Sequence, residues 1–165
     1  MKSRDTGDKT MTAEEKKAVN KSPRHRAREL VMQGIYQWRI TAGEEAKIEK
    51  QIQAEKNIGR FDKELFSKLL RGALGQHKEI EALFSPHLDR PVMELSPVEF
   101  AVLLLGTFEL AQHLEVPYKV VINESVELAK TFGGTDGHKF INGVLDKLAP
   151  QLRALEFSAS PVASR

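Results

Sequence analysis

Residues 96–114 constrain the fold of this chain more than any other segment. Ser96-Pro97-Val98-Glu99 joins a serine cap, a proline at the first helical position and a glutamate placed to reach back to the cap, which is a capping box. The helix that it opens, to about residue 114, carries Val98, Ala101, Val102, Leu103, Leu104, Leu105, Phe108 and Leu110, so it is apolar nearly all round. A helix without a polar face is stable only where other elements cover every side of it. It belongs in the middle of a bundle. It does not read as a membrane span, because the most apolar run, residues 100–108, is bracketed by Glu99 and Glu109 and is far shorter than the ~20 apolar residues a bilayer requires.

The flanking sequence supplies helices to surround it. Ser22-Pro23 is a second cap-and-proline start, after which Ala27, Leu30, Val31, Gly34, Ile35 and Trp38 recur every three or four residues and form one apolar stripe ending near Ile40. A weaker helix spans about 44–55, anchored by Ile48 and Ile52. The periodicity of Leu65, Phe66, Leu69, Ala73, Leu74, Ile80 and Leu83 predicts one long helix over 62–84, closed by Pro86, with a short piece at 88–94. Pro117 opens the next segment. Its Val120, Val121, Ile122 and Val126 have strand propensity, but its length and the Gly133-Gly134 stop favour helix. Thr135 or Asp136 caps a last helix, with Phe140, Ile141, Val144, Leu145 and Leu148 inward and Pro150 as its end. No alternating strand pattern competes. The expectation is an all-α domain of about six to seven helices over 22–153, with a disordered polar tail at 1–21 and a frayed terminus at 154–165.

The charge is local. The chain carries a formal net charge of +2, but residues 21–28 contribute +4 through Lys21, Arg24, Arg26 and Arg28, while residues 1–20 contribute +1 and the remaining 137 residues −3. Arginines in a first helical turn face the positive end of the helix dipole, an unfavourable arrangement by a few tenths of a kcal/mol each. The same geometry attracts phosphate, since free backbone N–H groups and guanidinium forks converge on one anion. Tyr36 projects from nearly the opposite face to the apolar stripe, in line with His25, Glu29 and Met32, and offers a stacking surface of the kind used on single-stranded RNA. The plainer alternatives are a solvated basic face and a tyrosine packed under a neighbouring helix.

Catalytic and metal readings have little support. There is no cysteine, and the five histidines show no paired metal-ligand spacing. Residues 133–137 (Gly-Gly-Thr-Asp-Gly) have the composition of a tight helix–helix turn and are read as such before a phosphate loop. Without cysteines, a secretory pattern or a membrane span, the default compartment is the cytoplasm, and no cofactor or metal is expected.

Three stretches carry a resemblance. Arg24-His25-Arg26-Ala27-Arg28-Glu29 running on to Tyr36-Gln37-Trp38, then Val116-Pro117-Tyr118-Lys119-Val120-Val121-Ile122-Asn123-Glu124 with Glu127-Leu128-Ala129-Lys130, and Phe132-Gly133-Gly134 through His138-Lys139-Phe140 to residues 142–147, together resemble the NusB transcription antitermination family. The match covers about residues 22–153; residues 41–95 match only in helical pattern. The resemblance implies two packed small helical bundles and a non-enzymatic factor. It would bind boxA RNA of ribosomal RNA leaders jointly with NusE, a small-subunit ribosomal protein, within an antitermination complex on RNA polymerase. It implies RNA contacts at Arg24, Arg26 and Arg28. His25 stands where a further arginine is common, and a mostly neutral imidazole would weaken phosphate contact. Tyr36, Glu99 and Asp136 fall at positions near the RNA and NusE surfaces, although Glu99 and Asp136 also have helix-capping roles. The competing functional readings are a protein-interaction scaffold for NusE or for a second copy of the chain, and the RNA-binding module of an RNA methyltransferase.

Overall fold

The computed structural model describes residues 22–158, and within them every regular element is helical. There are eight α-helices among the described residues: α1 Pro23–Thr41, α2 Glu45–Gln53, α3 Lys63–Gly75, α4 His77–Phe84, α5 Pro97–Gln112, α6 Tyr118–Phe132, α7 Gly137–Leu152 and α8 Ala154–Ser158. Two short 3-10 turns, Ser85–His87 and Val92–Glu94, occupy the connection before α5.

Helix α5 is the axis of the molecule. Residues 100–110 are all buried, and α1, α3, α4, α6 and α7 each pack against it. Its capping box is complete: Glu99 N–H donates to Ser96 Oγ at 3.1 Å, and Ser96 N–H donates to Glu99 Oε1 at 3.0 Å. Helices α1 to α3 form one small bundle, and α4 to α7 form a second around the shared α5. No helix among the described residues is long and apolar enough to cross a membrane.

Three sequence expectations are corrected. The helix expected over 62–84 is two helices, broken at Gln76, whose N–H bonds to the Gly72 and Leu74 carbonyls. Gly75 weakens the helix there, and the turn lets Ile80 and Phe84 reach the core. A one-residue break hardly disturbs a three-four repeat, so periodicity conceals it. Pro150 does not end α7, which runs to Leu152. Proline in a final turn forfeits one backbone bond, and the bonds of Arg153 to the Glu109, Leu110 and His113 carbonyls hold the helix end in place. Residues 154–158, expected as part of a frayed terminus, form α8. Glu156 there accepts the Tyr118 N–H at 3.0 Å, and the Phe157 ring stacks on Tyr118 with centroids 4.5 Å apart. The other expected tail segments, 1–21 and 159–165, lie outside the described residues.

Close crossing of α3 and α5 depends on Gly72. A methyl group there would overlap the Phe108 ring, which has no room to retreat inside the core. The Gly72→Ala variant is therefore expected to lose about 1–3 kcal/mol despite its better helix propensity. Urea unfolding measures this, and an unchanged or higher midpoint would contradict the packing.

Candidate nucleic-acid interface

The first turn of α1 begins as its sequence requires. Ser22 is in extended backbone, its Oγ accepts the His25 N–H at 3.0 Å, and Pro23 follows at the first helical position. No acidic residue lies in that turn. The four basic side chains that follow have separate fates.

Arg24 is on the surface. Its side chain is 52% exposed, and its nearest acid, Asp62, is 3.9 Å away, a long contact of little energetic weight. His25 turns toward α6: Nδ1 is 2.7 Å from Glu124 Oε1, and Nε2 is 3.5 Å from Glu29 Oε2. Hydrogen bonding to Glu124, then to Glu29, raises its pKa to about 9 against an opposing effect of burial. The expectation of a mostly neutral histidine is thus corrected: His25 is an imidazolium at neutral pH, with its charge directed into carboxylates. Arg26 donates from Nε to the Ile58 carbonyl at 3.1 Å and from NH1 to Glu29 at 2.9 Å, tying the α2–α3 connection to α1.

Arg28 departs furthest from expectation. Its side chain is only 3% exposed and forms a two-pronged ion pair with Glu109 of α5, Nε to Oε2 at 2.8 Å and NH2 to Oε1 at 2.9 Å, with Glu124 at 3.8 Å. Its place in a surface cluster offering guanidinium forks to phosphate is corrected by that burial. The remaining member, Lys21, lies outside the described residues.

Tyr36 is about 18 Å along α1 from Arg24, at the 1.5 Å rise of a helix. It is exposed and, with Met32, Gln33, Val98 and Phe132, lines an open hollow of about 360 Å³. Phe132 is the residue that sequence reasoning did not single out here: an apolar ring at the end of α6, it is 42% exposed. Gly133 lies beside Val98, so the connection carrying Asp136 starts close to the start of α5 and Glu99. Glu99 is committed to the capping box and also lies 3.8 Å from Arg90, whose guanidinium covers the Phe140 ring at 4.4 Å. Asp136 occupies the N-cap position of α7, but its side chain makes no capping bond. That correction leaves its carboxylate at the surface, 3.6 Å from Lys139. The site residues therefore fall into two groups, a basic end at Arg24 to Arg26 and, with Phe132 added, an aromatic-acidic end at Tyr36, Glu99 and Asp136.

Comparison with known proteins bears on this arrangement. The NusB family profile matches residues 25–150. The chain belongs to the NusB family. A transcription antitermination protein NusB from Nitrosomonas eutropha is 50% identical over 145 residues, 88% of this chain and 87% of the relative. The NusB of Aromatoleum aromaticum is 53% identical over 140 residues, 85% and 97% of the two chains. Among solved structures, T. maritima NusB superimposes with a TM-score of 0.71 at 30% identity, covering 84% of this chain and 99% of that one. A chain from a crystal structure of the antitermination factors NusB and NusE in complex with double-stranded RNA gives 0.69 at 29% identity, covering 77% and 96%.

Two outcomes follow for this NusB-family chain. Arg28→Ala strands Glu109 as an unpaired buried charge and is expected to cost about 3–5 kcal/mol, whereas Arg28→Met with Glu109→Leu recovers most of that loss. Chemical denaturation of the single and double variants distinguishes a structural pair from a surface cation. His25, with a folded pKa above the ordinary 6.5, adds stability that is complete below about pH 6.5 and fades as pH rises toward about 9. The contribution is on the order of 2 kcal/mol for a side chain 18% exposed. Unfolding midpoints between pH 6 and 9.5 are expected to decline in the wild type and to flatten in His25→Gln.

Proposed function

We propose that this chain is a transcription antitermination factor that binds boxA-type single-stranded RNA of ribosomal RNA leaders together with NusE, as a non-enzymatic adaptor of a cytoplasmic RNA polymerase complex. The observation that carries the reading is the split surface along α1. A basic end beginning at Arg24 suits a phosphate backbone, and an exposed tyrosine with Phe132 some 18 Å away suits unstacked bases. Family membership, and a structural neighbour described with both NusE and RNA, support the same partners.

Within this reading Arg24 contacts phosphate, and Tyr36 stacks on a base or on the protein partner. Asp136 makes no capping bond and presents an exposed carboxylate, beside Lys139, for register or for NusE. Glu99 holds the start of α5 in place beside that surface. His25 and Arg28 act from beneath, by keeping α1 on α5 and α6.

The test is RNA affinity across a salt series, with NusE present. Arg24→Ala is expected to weaken binding and to lower the magnitude of the logarithmic salt slope by about 0.7, the value for one phosphate on a single strand. Tyr36→Ala is expected to cost about 1–3 kcal/mol with no change in slope. Removing Arg28 together with Arg24 is a poor test, because loss of the buried pair with Glu109 destabilises the scaffold itself. Salt-independent binding, or equal affinity for boxA and a scrambled strand, would defeat the proposal.

A further inference from the structure

The connection between α2 and α3, residues 54–62, is bound to the basic end of α1. Arg26 Nε donates to the Ile58 carbonyl at 3.1 Å, and the Asp62 N–H donates to the Pro23 carbonyl at 3.0 Å. Its backbone shape is specific. Asn57 (φ 59°) and Gly59 (φ 84°) are both left-handed, a conformation those two residue types tolerate well. The double turn directs Ile58 inward, where its partly buried side chain packs on the core, and leaves its flanking neighbours Lys56 and Arg60 exposed.

The charges of this loop are sorted by direction. Its two acids are occupied: Glu55 accepts from Gln33 of α1 at 3.1 Å, and Asp62 caps α3 through the Leu65 N–H at 3.0 Å while its other oxygen faces Arg24. Lys56 and Arg60 have no hydrogen-bond or ion-pair partner among the described residues. Two cations are thus held outward on a loop fastened to the helix turn that bears Arg24. Nothing in the packing of the domain uses them.

We propose that Lys56 and Arg60 extend the Arg24 surface into a continuous phosphate-binding track, and that Arg26 serves as the positioning residue that fastens this loop to α1. The inference rests on the RNA reading above and adds to it where the strand continues beyond the N-terminus of α1. The ligand chemistry is the phosphodiester backbone of a single-stranded RNA. Contact is electrostatic and independent of sequence, because neither side chain is fixed by a neighbour that would aim it at a base edge.

The experiment measures anisotropy of a labelled boxA single strand with NusE present, over a range of salt concentrations. Lys56→Ala with Arg60→Ala is expected to lower the slope by about 1.4 and the affinity by about 25-fold at 0.1 M salt, about fivefold per lost contact. Thermal stability should hold, since both side chains are exposed. Arg71→Ala is the control for general loss of charge. Arg71 pairs with Glu49 and lies about 13 Å further along α3 than Asp62, beyond the Debye length of ~10 Å. Arg26→Lys keeps the charge but removes the Nε donor. It is expected to weaken binding in the wild-type background and to add nothing once Lys56 and Arg60 are alanine. If the loop variant binds like wild type while Arg24→Ala weakens binding, the loop proposal is overturned and the RNA reading stands. If wild type shows no salt-dependent binding, both fall. Equal losses from Arg71→Ala and the loop variant would also overturn the track, by showing that net charge alone decides affinity. If Arg26→Lys has the same effect in both backgrounds, its positioning role is overturned.

Discussion

The buried ion pair between Arg28 and Glu109 is the contact on which the arrangement of the molecule depends. Helix α5 is apolar from Phe100 to Leu110 apart from Thr107 and Glu109, so Glu109 is the one charged group within a stretch that every neighbour covers. A lone carboxylate there would be prohibitive, and a two-pronged guanidinium satisfies both of its oxygens. Such a pair adds little net stability compared with apolar packing, but it allows one register of α1 on α5 and penalises others. Arg153 performs a related task at the same end of α5. Its guanidinium donates to the carbonyls of Glu109, Leu110 and His113, supplying donors to the last turn of the helix.

Once that register is set, the surface follows. Arg28 pointing into the core turns His25 toward Glu124 and Glu29, three residues earlier and on the α6 side, and leaves Arg24 outside. The same rotation places Tyr36 at the far end of α1 beside Phe132 and Val98. The arginine-rich sequence therefore divides into an inward part that fixes the helix and an outward part that is available to a ligand. Charges so close in sequence have different roles because successive residues on a helix differ by about 100° in direction.

Much of the fold was legible because local signals agreed with one another. The caps at Ser22 and Ser96, the prolines after them, the three-four repeats of α1 and α3 and the nearly all-apolar run of α5 all specify helix, and each formed. The site was legible less evenly. Arg24 and Tyr36 are exposed as their positions on α1 suggest, but Arg28 was read as a surface cation because burial of a charged side chain depends on a partner 81 residues away. A clue existed in Glu109, an acid within an otherwise apolar helix, which required a cation from some other element. The 54–62 loop gave no comparable signal, since its two acids and two bases cancel in sequence and separate only by direction in space.

Local patterning in the sequence specified that residues 22–153 are helical, where most of the helices begin, and that α5 lies at the centre. These follow from hydrogen bonds and apolar spacing within a few residues, which no distant contact needs to supply. Tertiary structure alone decided which basic side chains are buried and which face solvent, that His25 carries a charge, and that residues 154–158 join the fold as α8. Each of those depends on desolvation and on carboxylates or rings brought from helices remote in sequence, and the energy of a charge is set by its surroundings more than by its own residue type.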